Sequence, residues 1–382
     1  MQSTAPATVQ FSPLSQFKHR VAIAASLPFN VYDADRTLLL ARGQLVENYE
    51  QMCALFERGA LVDIAELADP AAEARRAKPH ELPGLWNRSL YHLGETLRHA
   101  AGDEAFVDAL DAATPTVVTL IERDRDLAIF QVLRQEGNAM AQYGVNRSMH
   151  AAITALLVAQ RLGWAADDAQ RAFKVALTMN ISMLELQGEL AQQSTPLTDE
   201  QRDAIRAHPD FSRLMLELSG VSDAEWLRAV AEHHEVPDGS GYPSGARSIC
   251  DTADLVRRAD IYTAKLSPRG SRQAMAADQA GRQMFMQDPG HPMTAALVKE
   301  FGVYPPGCYV RLVSGECGLV VRRGPTVTTP VVAVMSTPSG TPLRQPLRRD
   351  TSIKGYAIQA VISGQMLQSG ISPEMLVMLA AG

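Results

Sequence analysis

A chain of 382 residues has room for one large domain and one or two small ones. Its 46% hydrophobic and 20% charged residues suit a soluble globular protein, and a net charge of −6 gives no overall pull towards nucleic acid or an anionic membrane. No run of about 18 uninterrupted apolar residues occurs, and Cys53, Cys250, Cys308 and Cys317 form no C-x-x-C pair. Neither secretion nor a membrane span is expected, and the reading is a cytoplasmic protein with reduced thiols.

Residues 1–17 are rich in Ser, Thr, Pro and Gln and are expected to be disordered. Residues 18–64 read as a small α/β module. Strand material at Val21–Ala24 and Phe29–Tyr32 is followed by a turn at Asp33–Arg36 and a returning strand at Thr37–Leu40. Asn48 then caps a helix through Met52, Leu55 and Phe56, ended by Gly59. No catalytic cluster lies in this module, so sensing, docking or dimerising is its default role. Residues 65–85 read as a linker.

Helical patterns dominate residues 86–300, with segments near Leu90–Ala101, Glu104–Ala113 and Thr116–Met140. The helix beginning near Asn146 places Arg147, Ala151, Thr154, Ala155, Val158 and Leu162 on one face. Arg147 therefore opens an inward stripe, an odd place for a guanidinium unless something buried needs it. The next helix, Asp168–Leu186, aligns Phe173, Leu177, Asn180 and Leu184, with Met183 beside them. Residues 301–382 read as a β-rich tail. Its strands fall at Tyr309–Val313, Gly318–Val321 and Pro330–Met335, and helical pieces are expected at Tyr356–Ile362 and Ser372–Ala380.

The most informative stretch runs from Ala231 to Pro243. Two adjacent imidazoles, His233 and His234, share seven residues with Glu232, Glu235 and Asp238, and Gly239, Gly241, Tyr242 and Pro243 follow at once. Neutral imidazoles can ligate a divalent metal, while Glu235 and Asp238 can orient a ring or a loop. Gly239 and Gly241 allow positive φ and a close backbone approach to a ligand. A helix end with two histidines followed by a simple turn would look similar.

The whole string resembles the HHExxDGxGYP signature of the HD-GYP family, bacterial hydrolases of the second messenger cyclic di-GMP. The resemblance covers roughly residues 130–300 and extends into the tail. It implies a mainly α, HD-superfamily helical bundle, here with the small N-terminal α/β module and the β-rich tail. It further implies His208, in Ala207-His208-Pro209, together with His233, His234 and Asp260, as metal ligands. Asp238, Gly239, Gly241, Tyr242, Arg269 and Arg272 fall on the ligand side, the tyrosine to stack on a guanine and the arginines to hold phosphate.

Six positions depart from the family. Arg147 stands where a ligating His is expected, Met179-Asn180 where the His-Asp pair is expected, and Met183 where a Lys is usual. Tyr143 replaces a Glu that some members use, and Thr263 replaces the second Asp of an ADxYDAL-like segment. A neutral amide cannot bridge two dications, a thioether suits iron or manganese poorly, and a guanidinium repels a cation. One divalent metal (Fe, Mn or Zn) on three histidines is therefore the most the site is expected to hold, and none is the alternative.

Loss of the bridging carboxylate, the second metal and the lysine, at roughly 10²–10³ each in rate, leaves little turnover. The expected function is a degenerate HD-GYP protein binding cyclic di-GMP, a related nucleotide or other signalling proteins, with no role for nucleic acid. A one-metal phosphodiesterase and a non-enzymatic scaffold are its rivals.

Overall fold

The computed structural model describes residues 11–21, 23, 27, 29–41, 44–63, 71–100, 103, 105–133, 140–270, 272–363 and 372–381. Four short strands, Phe11–Pro13 (β1), Val31–Tyr32 (β2), Leu38–Leu40 (β3) and Leu61–Asp63 (β4), form an antiparallel sheet in the order β1-β4-β2-β3. Helix Tyr49–Glu57 (α1) packs with this sheet, and the Asn48 side chain accepts the Gln51 N–H at its start. Residues 11–17 are structured where disorder is expected. Phe11 pairs in register with Asp63, and Leu14 opens a 3-10 turn with its side chain fully buried beside Phe29 and Val31. Val21 and Ile23 lie in no strand, and Ala22 and Ala24 lie outside the described residues.

The expected linker is also structured from Ala71 onward. Ala72–Arg76 (α2) and a 3-10 turn at Pro79–Glu81 lead directly into Leu82–Arg98 (α3). Composition hid this segment because its anchor is remote. The Arg123 guanidinium donates to the carbonyls of Ala74, Arg75 and Ala77, satisfying the orphan acceptors at the end of a very short helix.

The bundle continues with Phe106–Arg123 (α4), Arg125–Leu133 (α5), Met140–Leu162 (α6), Ala166–Thr178 (α7), Leu184–Gln192 (α8), Asp199–Leu218 (α9), Ala224–Glu232 (α10), Asp251–Leu266 (α11), Ala277–Gln287 (α12) and Pro292–Phe301 (α13). Helix α6 lies at the centre, touching α7, α8, α11 and α13. The expected single helix over Thr116–Met140 is broken at Asp124. That residue leaves helical geometry (φ −147°, ψ 91°), and its Oδ1 accepts the Leu127 N–H, capping α5. Upstream, α4 runs on through Pro115.

The expected helix over Asp168–Leu186 is likewise interrupted. It ends at Thr178, turns through a 3-10 segment at Ile181–Met183 and restarts as α8. Asn180 therefore sits at a buried corner, not within a helical stripe. Gly144 on α6 packs against that corner so closely that a Cβ there would stand 2.3 Å from the Leu184 carbonyl oxygen.

In the tail, Tyr309–Leu312 (β5), Cys317–Arg322 (β6), Val331–Ser336 (β7), Pro342–Asp350 (β8) and Ile358–Val361 (β9) form an antiparallel sheet in the order β8-β7-β6-β5-β9. The expected helix at Tyr356–Ile362 is in fact β9, whose residues pair with β5 (Val310 with Val361, Leu312 with Ile358). Strand β8 carries an exposed, arginine-rich face without the apolar alternation that marks a strand. Pro373–Ala381 (α14) returns Leu376 and Val377 to the bundle core, which also includes Leu319, Val321, Ala333 and Met335 of the sheet. The architecture is mainly α: a helical bundle with a small N-terminal α/β module and a β-rich tail. Among the described residues no helix is long and apolar enough to cross a membrane.

Candidate functional site

Helix termination chemistry builds the histidine cluster. Pro209 lies inside α9 and has no N–H, so the carbonyl of Ile205, four residues earlier, loses its helical donor. His208 takes its place, donating Nδ1–H to that oxygen at 2.6 Å. His233 is the C-terminal cap of α10, where the last carbonyls have no helical donors, and its Nδ1–H donates to the Val230 oxygen at 2.6 Å. A carbonyl only accepts, so both rings carry their proton on Nδ1 and a lone pair on Nε2. The two Nε2 atoms face each other at 3.1 Å.

His234 completes the group. Its ring centroid lies 5.1 Å from that of His208 and 4.2 Å from that of His233, and one ligand atom from each residue falls within 4.8 Å of the others. Burial, reinforced by the neighbouring imidazoles, pushes all three down to about 3. Imidazolium is thus disfavoured at neutral pH, and two lone pairs oppose each other with no proton between them. One divalent cation satisfies this arrangement, so the three nitrogen donors fit a single metal.

Asp260, expected as a fourth ligand, is engaged elsewhere. Its Oδ1 accepts Arg147 Nη2 at 2.5 Å, and its backbone oxygen accepts the same group at 3.2 Å. Arg147 Nη1 donates to Thr263 Oγ1 at 3.0 Å, so the guanidinium spans both positions at which the α11 segment resembles a metal-binding pair. The Arg147 side chain is 4% exposed and that of Asp260 16%. Asp260 still acts on the histidines, its charge favouring protonated His208 and His233 against the stronger effect of burial. Met179, Asn180 and Met183 are all buried at the α7–α8 corner and supply two thioethers and an amide. A second dication finds a fixed positive charge there and no unpaired carboxylate among these residues.

The loop after the doublet is held by its own polar groups. Glu235 is buried, and its Oε1 accepts the Ser244 N–H and Oγ–H at 2.7 and 2.8 Å, while Oε2 is buried without a partner. Asp238 is exposed and accepts the Ser240 N–H at 2.8 Å, so it shapes the turn. Gly239 has φ +82°, and a Cβ at Gly241 would stand 2.5 Å from Glu235 Cα and Val236 N. This packing lays Tyr242 against His234, ring centroids 4.5 Å apart at 22°.

Arg269 and Arg272 pair backbone to backbone in an exposed turn, and the Arg272 guanidinium donates to the Ala264 oxygen. No contact joins either one to the histidines among the described residues. Two other cations act on the site electrostatically, and the sequence pattern does not mark them. The charge of Arg257 acts on His234 and that of Arg206 on Tyr242. Arg257 pairs with Asp254 through Nη2 while its Nε is buried without a partner. The one available signal is helical spacing, one turn before Asp260 and two residues before His208. His150, one turn after Arg147, is equally unmarked. Its Nδ1 is buried without a partner, and burial together with the Arg147 charge pushes it down to about 3.

Residues 132–288 match the family model for the HD domain. A curated relative, cyclic di-GMP phosphodiesterase PA4108 of Pseudomonas aeruginosa, is 33% identical over 165 residues, which cover 41% of this chain and 39% of the relative. The chain contains an HD-GYP domain. The same domain is 28% identical over 137 residues to the cyclic di-GMP phosphodiesterase response regulator RpfG of Xanthomonas campestris, covering 34% of this chain and 35% of that one. It is 28% identical over 148 residues to 3'3'-cGAMP-specific phosphodiesterase 3 of Vibrio cholerae, covering 37% of this chain and 31% of that one. In each case the HD-GYP match spans less than two fifths of the relative. The solved structure of Bd1817, an HDG"Y"P protein from Bdellovibrio bacteriovorus, aligns with a TM-score of 0.48 at 14% identity, over 76% of this chain and 98% of that one.

Proposed function

We propose that this chain is a catalytically impaired HD-GYP protein of cyclic di-GMP signalling, acting in the cytoplasm, which binds cyclic di-GMP, a related nucleotide or partner signalling proteins with little or no hydrolysis. The observation that supports this reading is the Arg147–Asp260 pair. Phosphodiester hydrolysis by two metals needs an anionic carboxylate between the dications to hold them and their shared hydroxide. Here the acidic side chain beside the histidines neutralises a fixed cation, and Asn180 at the corner is neutral.

His208, His233 and His234 would hold one Fe, Mn or Zn ion, which supplies Lewis acidity when bound. The chain's own residues then act on binding. Tyr242, half-buried, is held against His234 and offers its ring to a stacking base. Arg206 and Arg257 bring positive charge to the phosphate side, and Arg269 and Arg272 are further candidates. The three-histidine cluster also keeps a second reading open, a slow phosphodiesterase working with one metal.

Titration of the purified chain with cyclic di-GMP, beside metal analysis and a turnover assay, separates the readings. Affinity without turnover supports the receptor, turnover with one metal equivalent supports the enzyme, and neither affinity nor turnover supports a scaffold that contacts other proteins only.

A further inference from the structure

The bundle and the tail sheet meet around one carboxylate. Glu300, in the last turn of α13, has a fully buried side chain, and Arg125 of α5, Arg161 of α6 and Arg323 just beyond β6 converge on it. Arg323 also engages both oxygens of Asp126, through Nε and its backbone N–H. Every carboxylate oxygen is thereby engaged. Glu300 Oε1 serves Arg125 and Arg323, and Oε2 serves Arg161 Nε. The donors are not all engaged. Arg161 is 36% exposed and commits only Nε, and the Lys299 ammonium has no ion pair among the described residues.

Beside this cluster lies a cleft of about 690 Å³, bordered by Arg161, Lys299, Arg323 and the Arg323-paired Asp126 on its charged side and by Tyr304, Pro325 and Val327 on its apolar side. Counting Arg125, the four cations outnumber the two carboxylates Glu300 and Asp126, in a chain whose net charge is −6. A guanidinium with both terminal nitrogens free is a planar fork for phosphate, and a lysine adds a point charge. The volume is that of a small-molecule pocket and far exceeds what a bare oxyanion fills.

We propose that this cleft is a second ligand site, taking a phosphorylated small molecule of mononucleotide size. Its phosphate sits on Arg161 and Lys299, and its organic part lies against Tyr304, Pro325 and Val327. None of these residues belongs to the histidine site. Because one wall comes from the helices and the other from the 323–330 segment, an occupied cleft ties the tail to the bundle.

The test is calorimetric titration of the full chain with AMP, GMP and inorganic phosphate, repeated on Lys299→Gln and on Arg161→Lys with Lys299→Gln. The lysine keeps a cation on Glu300 while removing the fork, and Lys299 is exposed, so both variants retain the fold and their melting temperatures check this. The proposal expects saturable binding of a mononucleotide, at least tenfold tighter than phosphate, weakened at least tenfold in the double variant while cyclic di-GMP affinity is unchanged. Equal binding of phosphate and mononucleotide overturns the assigned size. No binding, or binding indifferent to both substitutions, overturns the site and leaves the cluster as a fastening between bundle and tail.

Discussion

Arg147 and Asp260, 113 residues apart in sequence, meet through a hydrogen-bonded ion pair beside three histidines. The pair explains how a chain can carry an inward guanidinium at the head of an otherwise apolar helix face. Either charge alone would be costly to bury, and together they neutralise each other. The Thr263 hydroxyl completes the arrangement by accepting from the other guanidinium nitrogen.

Breaking the pair from one side leaves a buried charge without its counter-ion. Arg147→Met or Asp260→Asn is expected to destabilise the chain by roughly 3–5 kcal/mol, and the double change by less than the sum of the two. Denaturant melts of the three variants give the coupling energy. A coupling near zero would mean that the contact contributes nothing.

Metal stoichiometry follows from the opposed Nε2 atoms. At most one equivalent of divalent metal is expected per chain, lost in His208→Ala and in His234→Ala. Elemental analysis finding two equivalents, or one that survives both substitutions, would contradict the assignment of the three histidines.

The same histidines set a pH dependence for the metal-free protein. Each is held at about 3 in the folded chain, against an ordinary value of 6.5. Below 6.5 the unfolded chain binds protons that the folded chain refuses, so stability falls as the pH is lowered from 6.5 towards 3. Each group contributes up to about 1.4 kcal/mol per pH unit within that window. Melts in EDTA at pH 7, 6 and 5 should show the decline beginning before the carboxylates titrate, and a flat profile from pH 7 to 5 would count against it.

Gly241 and Gly239 should respond differently to alanine. At Gly241 the new Cβ meets backbone atoms at 2.5 Å that cannot give way, whereas at Gly239 the nearest atoms belong to the flexible Arg247 side chain and the difficulty is φ +82°. Gly241→Ala is expected to displace Tyr242 and abolish metal and nucleotide binding together, while Gly239→Ala weakens them by a smaller factor. Metal content and cyclic di-GMP titration of the two variants check the ranking.

Much of the site is legible in the sequence because it is local. His233, His234, Gly241 and Tyr242 lie within ten residues, and the stripe headed by Arg147 follows from helical periodicity alone. What the sequence conceals depends on partners far along the chain. The short helix at Ala72–Arg76 is capped by Arg123, and β9 is a strand because it completes the edge of β5. The corner at Asn180 falls within an unbroken apolar pattern, and Asp124 reads as one more polar residue although its carboxylate caps α5. Arg257 and Arg206 have the pattern of ordinary solvent-facing charges. Only the fold brings them to the histidines and the tyrosine.

The most direct test of the central claim is the rate of cyclic di-GMP hydrolysis by the purified chain with added Mn²⁺ or Fe²⁺, measured beside an HD-GYP enzyme with an intact two-metal site. The proposed loss of the bridging carboxylate and its metal predicts a rate lower by roughly 10³-fold or more. A rate within tenfold of the intact enzyme would contradict the account.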